Sequence, residues 1–352
     1  MSRVCLHVRR AVALTAILFL ALAAPQARAQ APEKRDIKVM MDWIIQGTHA
    51  PFFVAQSKGY YKDGGLNVQI DAGKGATNVA VSVAGGVYDF GWVDMPSMIK
   101  FNAQNPSSPL VAVYISFDDS PLAFITLKSK NIRKPADLNG ARIAGGPGTA
   151  VHDTASILFK AAKAENVKVN WLPVQPQLFG PMVLRGEADG TGGFINSNIP
   201  ALMDVGIKFD DIYAVKYADF GANMYGLTLA TTKAFIEKNP QTVRAMVKAL
   251  NRGTIDTIKD PAAALKIMKS ADAMMKEDIE KVRLDLALTV TNTKWVKEHG
   301  LSVAQPERSN SPSTRWRPPM ALPTRPSPRT SIPTSSCRPW PNAWSSNHRL
   351  QL

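Results

Sequence analysis

Short apolar runs alternate with amphipathic helical patterns from Ile37 to about Gly300, and this alternation restricts the possible folds more than any other feature. Such alternation is typical of α/β domains, in which helices cover a largely parallel sheet. The apolar runs predict strands at 37–41, 68–71, 90–93, 111–117, 123–127, 142–144, 169–174, around 194–195, and at 225–230. The helical patterns predict helices at 51–60, 76–84, 149–163 and 177–186, and only helices from residue 233 onward. We therefore expect an α/β protein built on mostly parallel sheets.

The middle of the chain is long enough for two lobes, because domains commonly hold roughly 100 to 200 residues. The fourth predicted strand is followed by the turn-forming sequence DDSP at 118–121, where the first segment of the first lobe ends. A return strand begins near Tyr225, and only helices follow it. We predict one lobe from residues 30–121 and 227–307 and a second lobe from residues 122–226. The ligand of such a chain should lie between the lobes, outside the carboxyl ends of the strands.

The N-terminus has the three parts of a secretory signal peptide. Basic residues precede an apolar run at 11–24, and the triplet Ala-Arg-Ala follows at 27–29 as a small-x-small cleavage site. This run of 14 residues is too short for a membrane anchor, which needs about 20 residues. Cys5 precedes the run, so it is not the lipid-bearing cysteine of a lipoprotein. We predict that residues 1–29 are removed and that the mature protein is soluble and exported.

The composition changes abruptly near Arg308. The last 48 residues hold ten of the 25 prolines and contain no Lys, Asp, Gly, Val, Phe or Tyr. Read literally, residues 308–352 are a disordered cationic tail. We favour the alternative of a frameshift near Arg308. Codons for residues 309–346 can be chosen that, one base out of phase, spell a string containing QVAAAYGAADQAKPEDIYTNEFLPP, which has the spacing of an amphipathic helix and restores acidic residues and Lys.

The formal charge of +14 does not indicate nucleic-acid binding once it is located along the chain. Residues 1–29 hold four Arg and no acidic residue, and residues 305–352 hold seven Arg and one Glu. The middle therefore has 31 basic residues against 27 acidic ones, with no basic stripe of interleaved aromatics. We expect a small-molecule ligand and no nucleic-acid partner.

The middle of the chain lacks the residues of common catalytic and metal sites. The cysteines are Cys5 and Cys337, so no cysteine occurs between Ala29 and Arg308. The three histidines of the middle are too scattered for metal-ligand spacing, and neither H-E-x-x-H nor G-x-S-x-G is present. We therefore expect no catalytic residue, no metal and no cofactor.

Two predicted strand-to-helix turns are built alike, with the sequences GKGAT at 73–77 and GGPGT at 145–149. Glycine lets the backbone approach a ligand closely, and the free N–H groups of a helix N-terminus favour an anion or a polar acceptor. The candidate ligand contacts that follow are Gly75, Ala76, Thr77, Gly148 and Thr149. The alternative is structural, in which the glycines form tight turns and each threonine caps its helix. Neither turn matches a nucleotide-binding fingerprint.

Aromatic residues lie at the ends of several predicted strands. Trp43 follows the first strand, Trp92 ends the third, Phe117 ends the fourth, and Phe194 ends a strand of the second lobe. Strand ends face the predicted cleft, so these rings are candidates for flat walls around a small organic ligand. The alternative for each ring is a place in the core, where buried aromatics are common.

Two polar residues near strand ends are further candidates. His49 lies just before the helix that begins near Pro51, where it can hydrogen-bond a ligand or cap the turn. Asp94 follows the third strand, where its carboxylate can accept a ligand N–H or cap the helix that begins near Pro96. The sequence leaves both alternatives open.

A series of motifs follows one another along residues 36–305. They are Asp42-Trp43, His49-Ala50-Pro51, Lys58-Gly59-Tyr60-Tyr61, Gly65-Leu66, Tyr88-Asp89-Phe90-Gly91 before Asp94, Lys134-Pro135-Ala136-Asp137-Leu138, Gly148-Thr149 and Gly186-Glu187-Ala188-Asp189. Their order resembles the substrate-binding proteins of nitrate/sulfonate/taurine-type ABC importers, a group that includes binders of thiamine-pyrimidine precursors. The out-of-phase string DIYTNEFLP also resembles the C-terminus of this group.

The resemblance implies a type II periplasmic binding protein fold, in which two α/β lobes close on a small molecule. It further implies a monomeric, non-catalytic protein that delivers the molecule to an inner-membrane ABC permease and its ATPase. The ligand contacts that the resemblance implies are Trp43, His49, Gly75, Ala76, Thr77, Asp94, Gly148, Thr149, Phe194 and Asn196.

Two classes of ligand fit the sequence. Paired helix N-termini suit a sulfonate, a nitrate or a carboxylate, but no arginine lies beside either glycine turn, so neutralisation would depend on helix dipoles and Lys74. Trp43 with His49 suits a flat heterocycle such as an aminopyrimidine. We favour the heterocycle because the segment around Trp43 and His49 resembles the pyrimidine binders more than the sulfonate binders.

An enzyme is the rival to a binding protein. The group resembles a fungal enzyme that makes the thiamine pyrimidine, hydroxymethylpyrimidine, from pyridoxal phosphate. That enzyme has a Cys-rich motif, and the middle of this chain has no cysteine. The signal peptide also argues against a biosynthetic enzyme.

Overall fold

The computed structural model describes residues 30–309, which form two five-stranded sheets covered by helices. The strands, β1 to β10, are Asp36–Met40, Asn67–Asp71, Phe90–Asp94, Leu110–Ile115, Leu122–Leu127, Arg142–Ala144, Asn170–Leu172, Gly190–Phe194, Ile212–Lys216 and Leu227–Thr232. The α-helices of this region, α1 to α13, are Ala50–Ser57, Tyr60–Asp63, Ala76–Ala84, Met95–Gln104, Ala150–Ala161, Phe179–Leu184, Ile195–Asp204, Lys233–Lys238, Pro240–Lys259, Pro261–Ala271, Glu277–Thr291, Lys294–His299 and Pro306–Ser309.

The two sheets repeat one arrangement of strands. The first has the order β2-β1-β3-β10-β4, and the second has the order β7-β6-β8-β5-β9. In the first sheet β10 is antiparallel to both neighbours, as β5 is in the second sheet, while the remaining pairs are parallel. Each antiparallel strand enters its sheet directly from the other sheet, so the chain crosses between the sheets twice. This arrangement confirms the predicted α/β architecture with two lobes.

Central strands of both sheets are buried along almost their whole length. All five residues of β3 are buried, and so are the first five residues of β5 and of β10. Strands that are covered by helices on both faces read as continuous apolar runs rather than as alternating patterns. For this reason the central strands were recognisable in the sequence.

The strand predicted near 194–195 was misplaced. The structure has β8 at Gly190–Phe194, and Ile195 already begins α7. Glycine disfavours strands, so the GTGG run gave a weak strand signal. The glycines are nonetheless required by packing, since a Cβ on Gly190 would lie 2.5 Å from the Ile125 backbone O and one on Gly192 would lie 2.9 Å from Val151 Cγ1.

Strand β9 was not predicted from the sequence. The return strand was predicted from residue 225, but it begins at Leu227. The two segments that cross between the sheets contact each other closely. Gly226 N–H donates to Phe117 O at 3.0 Å, and a Cβ on Gly226 would lie 2.8 Å from the Asp119 backbone O. Only a glycine allows this approach of the two crossings.

The C-terminal helices position the segment that follows β1. Helices α9 and α10 pack on α1, whereas α11 contacts both α7 and the short 3-10 turn Gly47–His49. Helix α11 therefore lies against elements that follow strands of both sheets.

Two predictions concern residues outside the described range: the signal peptide at 1–29 and the tail from 308 onward, of which only Arg308 and Ser309 are described. Across residues 30–309 no helix combines the length and the apolar character that a membrane span requires. In the same range no cluster of three or more His, Cys, Asp or Glu side chains is arranged for a metal ion.

The close packing of α9 on α1 determines whether alanine at position 253 stabilises or destabilises the protein, because helix propensity and packing act in opposite directions there. Alanine is favoured over glycine inside a helix by roughly 0.5 to 1 kcal/mol. A Cβ on Gly253 of α9, however, would lie 2.2 Å from the Pro51 backbone O and 2.9 Å from Ala55 Cβ. Overpacking of this kind costs about 1 to 3 kcal/mol. We expect Gly253→Ala to lower the free energy of unfolding, measured by denaturant titration.

The exposed helical variant Ala262→Gly measures helix propensity without a packing change. Stabilisation by Gly253→Ala would contradict the close contact between α9 and α1.

Candidate functional site

One cavity lies where the carboxyl ends of the two sheets face each other. Its volume is about 40 Å³, which is room for roughly three water molecules. The lining residues are Asp42, Trp43, Gly75, Ala76, Asp94, Thr149, Ala150, Phe179, Gly192, Gly193, Phe194, Ser197 and Asn198. Wider grooves of about 760 and 820 Å³ lie elsewhere on the surface, but neither includes the ends of β1 or β8.

Asp42 and His49 form a buried pair beside the cavity. His49 has no exposed surface. Its Nε2 donates to Asp42 Oδ1 at 2.9 Å, because a carboxylate only accepts hydrogen bonds, and its Nδ1 lies 3.0 Å from the Gln46 backbone N and 3.1 Å from the Gln46 backbone O. The structure thus places His49 behind Asp42 rather than in the cavity lining, where it holds the Asp42 carboxylate in a fixed orientation.

The two glycine turns meet across the cleft. Gly75 has φ +111°, and a Cβ there would lie 2.6 Å from the Gly148 backbone O, so the turns touch through their backbones. Thr77 Oγ1 donates to Asp153 Oδ2 of α5 at 3.0 Å. Of the five residues predicted in these turns, Gly75, Ala76 and Thr149 line the cavity, while Gly148 and Thr77 join the two sides at its rim.

Thr149 precedes α5 but does not cap it through its side chain. Its hydroxyl donates instead to the Gly146 backbone O at 2.8 Å, within its own turn. The same residue lines the cavity. The turn therefore holds the threonine side chain at the edge of the site.

Asp94 both caps a helix and lines the cavity. It ends β3, and its Oδ2 accepts a hydrogen bond from Ser97 N at 2.9 Å at the start of α4. Burial of the carboxyl raises the pKa of Asp94 to about 6, with the charges of Asp42 and Asp153 adding to this effect. Asp94 therefore takes up or releases a proton near neutral pH.

Three aromatic rings line the cavity, namely Trp43, Phe194 and Phe179. Phe179 begins α6 and was not identified from the sequence. The other aromatic candidates, Trp92 and Phe117, lie in a buried cluster, in which the rings of Phe52 and Phe117 pack edge-on against Trp92 at 5.3 and 5.4 Å. The latter three rings belong to the core beneath the site.

Asn196 is fully buried next to the lining residues Ser197 and Asn198. Its Nδ2 donates to Thr48 Oγ1 at 2.8 Å, which links α7 to the 3-10 turn Gly47–His49. Its Oδ1 has no hydrogen-bond partner among the described residues. Asn196 thus joins the two sides of the cleft rather than lining the cavity.

Sequence reasoning missed Ser197 and Asn198, yet an internal repeat could have located them. The segments GGVYDFGWVDMPS at 85–97 and RGEADGTGGFINS at 185–197 end the third strand of their respective sheets in the same way. Asp94 and Phe194 take the same place in the repeat, as do Ser97 and Ser197. The repeat therefore marks equivalent junctions on the two sides of the cavity.

The charge of the lining is one-sided. Asp42 and Asp94 contribute carboxyl groups, and none of the thirteen lining residues is Lys, Arg or His. Carboxylates accept hydrogen bonds, whereas the serine hydroxyl and the Asn198 amide can also donate. The lining therefore combines hydrogen-bond acceptors with aromatic rings and has no cationic side chain.

A family model described as NMT1/THI5 like matches residues 46–264. The formylaminopyrimidine-binding protein of Halalkalibacterium halodurans is 27% identical over 283 residues, which cover 78% of this chain and 83% of that protein. The 4-amino-5-hydroxymethyl-2-methylpyrimidine phosphate synthase of Schizosaccharomyces pombe is 25% identical over 241 residues, with coverages of 65% and 68%.

Among solved structures, the periplasmic aliphatic sulphonate-binding protein SsuA of Escherichia coli has a TM-score of 0.57 at 14% identity. The superposition covers 72% of this chain and 84% of that one. This likeness confirms the predicted two-lobed fold of periplasmic binding proteins. Because the family model spans more than half of the sequence, the chain belongs to the NMT1/THI5-like family.

Proposed function

We propose that this protein is the solute-binding component of an ABC importer and that it captures an amino-substituted heterocycle of the thiamine-pyrimidine type. The observation that carries the proposal is the cavity lining, which combines two carboxyl groups with aromatic rings and has no cationic side chain. An exocyclic amino group would donate to Asp42 or Asp94, and the ring would pack against Trp43.

The same lining opposes an anionic ligand. A sulfonate or nitrate in this cavity would be buried beside two carboxyl groups, and like charges at close range disfavour binding. The N-termini of α3, α5 and α7 offer N–H groups that favour an anion, but the Asp42 and Asp94 carboxyl groups in the same lining oppose it. The cavity, at about 40 Å³, is smaller than an ordinary ligand pocket of roughly 300 to 1,000 Å³, so a pyrimidine ring would enter only with the lobes parted.

Closure of two lobes supplies the capture step of the proposal. In this account the lobes comprise residues 30–121 with 227–307, and residues 122–226, and they move about the crossings near Pro121 and Tyr225. The predicted signal peptide and the binding-protein relatives support a periplasmic location and a membrane permease with its ATPase as partners. We propose a monomer that acts without catalysis.

The synthase relatives favour a second candidate, an enzyme of hydroxymethylpyrimidine synthesis. Against it stand the predicted signal peptide and the absence of cysteine between Ala29 and Arg308 in the sequence. Formation of a pyrimidine product from pyridoxal phosphate by the purified protein would support the enzyme instead.

Ligand class can be tested by thermal shift. A ligand that binds only the folded state raises the unfolding midpoint. At a concentration 100 times its Kd, it adds about 2.7 kcal/mol to the free energy of unfolding. We expect 4-amino-5-hydroxymethyl-2-methylpyrimidine and formylaminopyrimidine to raise Tm. Ethanesulfonate, taurine and nitrate should leave Tm unchanged. A shift with the anions alone would refute the proposed ligand class.

Trp43 should dominate the contact with the ring. Replacing a buried aromatic anchor commonly costs about 2 kcal/mol of binding free energy, or roughly 30-fold in Kd. We expect this loss for Trp43→Ala in a calorimetric titration with the same pyrimidine. Trp295→Ala on α12 is the matched control, because that ring stacks on His299 at 3.7 Å and takes no part in the lining. Equal Kd values for the two variants would place the ligand elsewhere.

Asp94 should make stability depend on pH. Its folded pKa of about 6 exceeds the ordinary value of 3.8. Between these values the folded protein retains a proton that the unfolded chain has released, so stability falls as the pH rises through this window. Asp94→Asn stays neutral and keeps an oxygen acceptor for Ser97 N–H. We expect its stability relative to the wild type to rise between pH 4 and pH 7, by up to about 3 kcal/mol.

Denaturant titrations of both ligand-free proteins at the two pH values give this difference. A difference that is the same at pH 4 and pH 7 would show that Asp94 is not protonated by burial.

A further inference from the structure

Arg283 is a buried arginine of α11 that contacts both sides of the cleft. Only 9% of the residue is exposed. Its Nη1 donates to Gln46 Oε1 at 2.9 Å and to the Ser197 backbone O at 2.5 Å, and its Nε donates to Glu280 Oε1 at 2.9 Å. Gln46 precedes the turn that follows β1, whereas Ser197 lies in the first turn of α7. One guanidinium therefore links the two lobes.

The bond to Gln46 also orients a side chain of the cavity. A carboxamide has one oxygen and one NH₂ group, so donation from Arg283 to Oε1 directs Nε2 away from the guanidinium. Gln46 Nε2 donates to Ser197 Oγ at 2.6 Å. Because Ser197 Oγ accepts this bond, its own hydrogen is left to donate, and Ser197 lines the cavity.

Helix α11 is held tightly against the turn that carries Gln46. Glu280 Oε2 accepts a hydrogen bond from Gly47 N at 2.5 Å, and a Cβ on Gly47 would lie 2.6 Å from the Glu280 backbone O. Glu280 thereby fixes both the turn and the Arg283 side chain. The close contact between Gly47 and the Glu280 backbone holds α11 in place, and with it the Arg283 guanidinium.

We propose that Arg283 is a positioning residue of the cleft, which holds the lobes closed and orients the Ser197 hydroxyl as a donor to the ligand. The ligand part of this proposal rests on the proposed function. An amino-substituted heterocycle carries ring-nitrogen acceptors as well as an amino donor, so Ser197 complements the carboxyl groups of Asp42 and Asp94. The site then binds both the amino donor and the ring-nitrogen acceptors of one flat ring.

Arginine is required for this arrangement by its shape. Its planar guanidinium presents donors in several fixed directions, and here they reach Glu280, Gln46 and the Ser197 backbone together. Lysine keeps the charge but lacks the fork. A neutral side chain would leave the Glu280 carboxylate without its cation and the Gln46 amide without its orienting donor.

The test is a double-mutant cycle on the affinity for 4-amino-5-hydroxymethyl-2-methylpyrimidine, measured by calorimetry. The variants are Arg283→Met, Arg283→Lys, Ser197→Ala and the double variant Arg283→Met with Ser197→Ala. We expect Arg283→Met to weaken binding at least about tenfold, since hydrogen bonds to charged groups are the strong ones, and Arg283→Lys to recover part of the loss. The loss from Arg283→Met should shrink when Ser197 is already alanine, because no hydroxyl is left to orient.

Arg185→Met is the matched control, because the Arg185 side chain is exposed and pairs with the exposed Glu187. It should leave the Kd unchanged. The unfolding midpoint of every variant is recorded alongside, so that loss of folding is separated from loss of affinity. An Arg283→Met effect of equal size in both Ser197 backgrounds, or no effect on Kd, would overturn the positioning role.

The closed arrangement is tested without ligand by small-angle X-ray scattering. We expect Arg283→Met to increase the radius of gyration relative to the wild type and to Arg185→Met. If the wild type binds no aminopyrimidine, the proposed function fails, but the scattering result still decides whether Arg283 holds the lobes together. An unchanged radius of gyration would overturn that role.

Discussion

Two carboxyl groups buried in one cavity without a lining cation are the constraint on which the rest of this site depends. Burial of charge is costly unless it is paired or neutralised, and Asp94 responds with a raised pKa while Asp42 accepts a hydrogen bond from His49. Burial of these two carboxyl groups in the closed cleft therefore lowers the stability of the ligand-free protein. A ligand that donates N–H groups offsets this cost, which links the electrostatics of the site to its proposed ligand.

The fold brings this cavity together from equivalent parts of two repeated sheets. Strand-to-helix junctions after β1, β2 and β3 face those after β6 and β8, and the glycine turns touch at Gly75 and Gly148. The C-terminal helices complete the arrangement, because α11 contacts the turn that carries His49 as well as α7. Residues far from the cavity in sequence therefore determine how its side chains are held.

The sequence predicted the parts of this structure that depend on local pattern. Apolar runs located the buried central strands, and Trp43, Gly75 and Asp94 were recognised because each lies at or shortly after the end of a predicted strand. Strand β8 was misplaced because its glycines conceal the strand pattern, although close packing requires them. The role of Arg283 was not predictable, because Arg283 contacts Gln46 across 237 positions of the chain and no local pattern encodes such a contact.

We propose that buried carboxyl groups recognise the amino group of a flat heterocycle between the lobes. A crystal structure of the protein with 4-amino-5-hydroxymethyl-2-methylpyrimidine tests it most directly. We predict the amino nitrogen within hydrogen-bonding distance of the Asp42 or Asp94 carboxyl group, with the ring against Trp43. A pyrimidine bound outside this cavity, with both carboxyl groups lacking a ligand donor, would contradict the account.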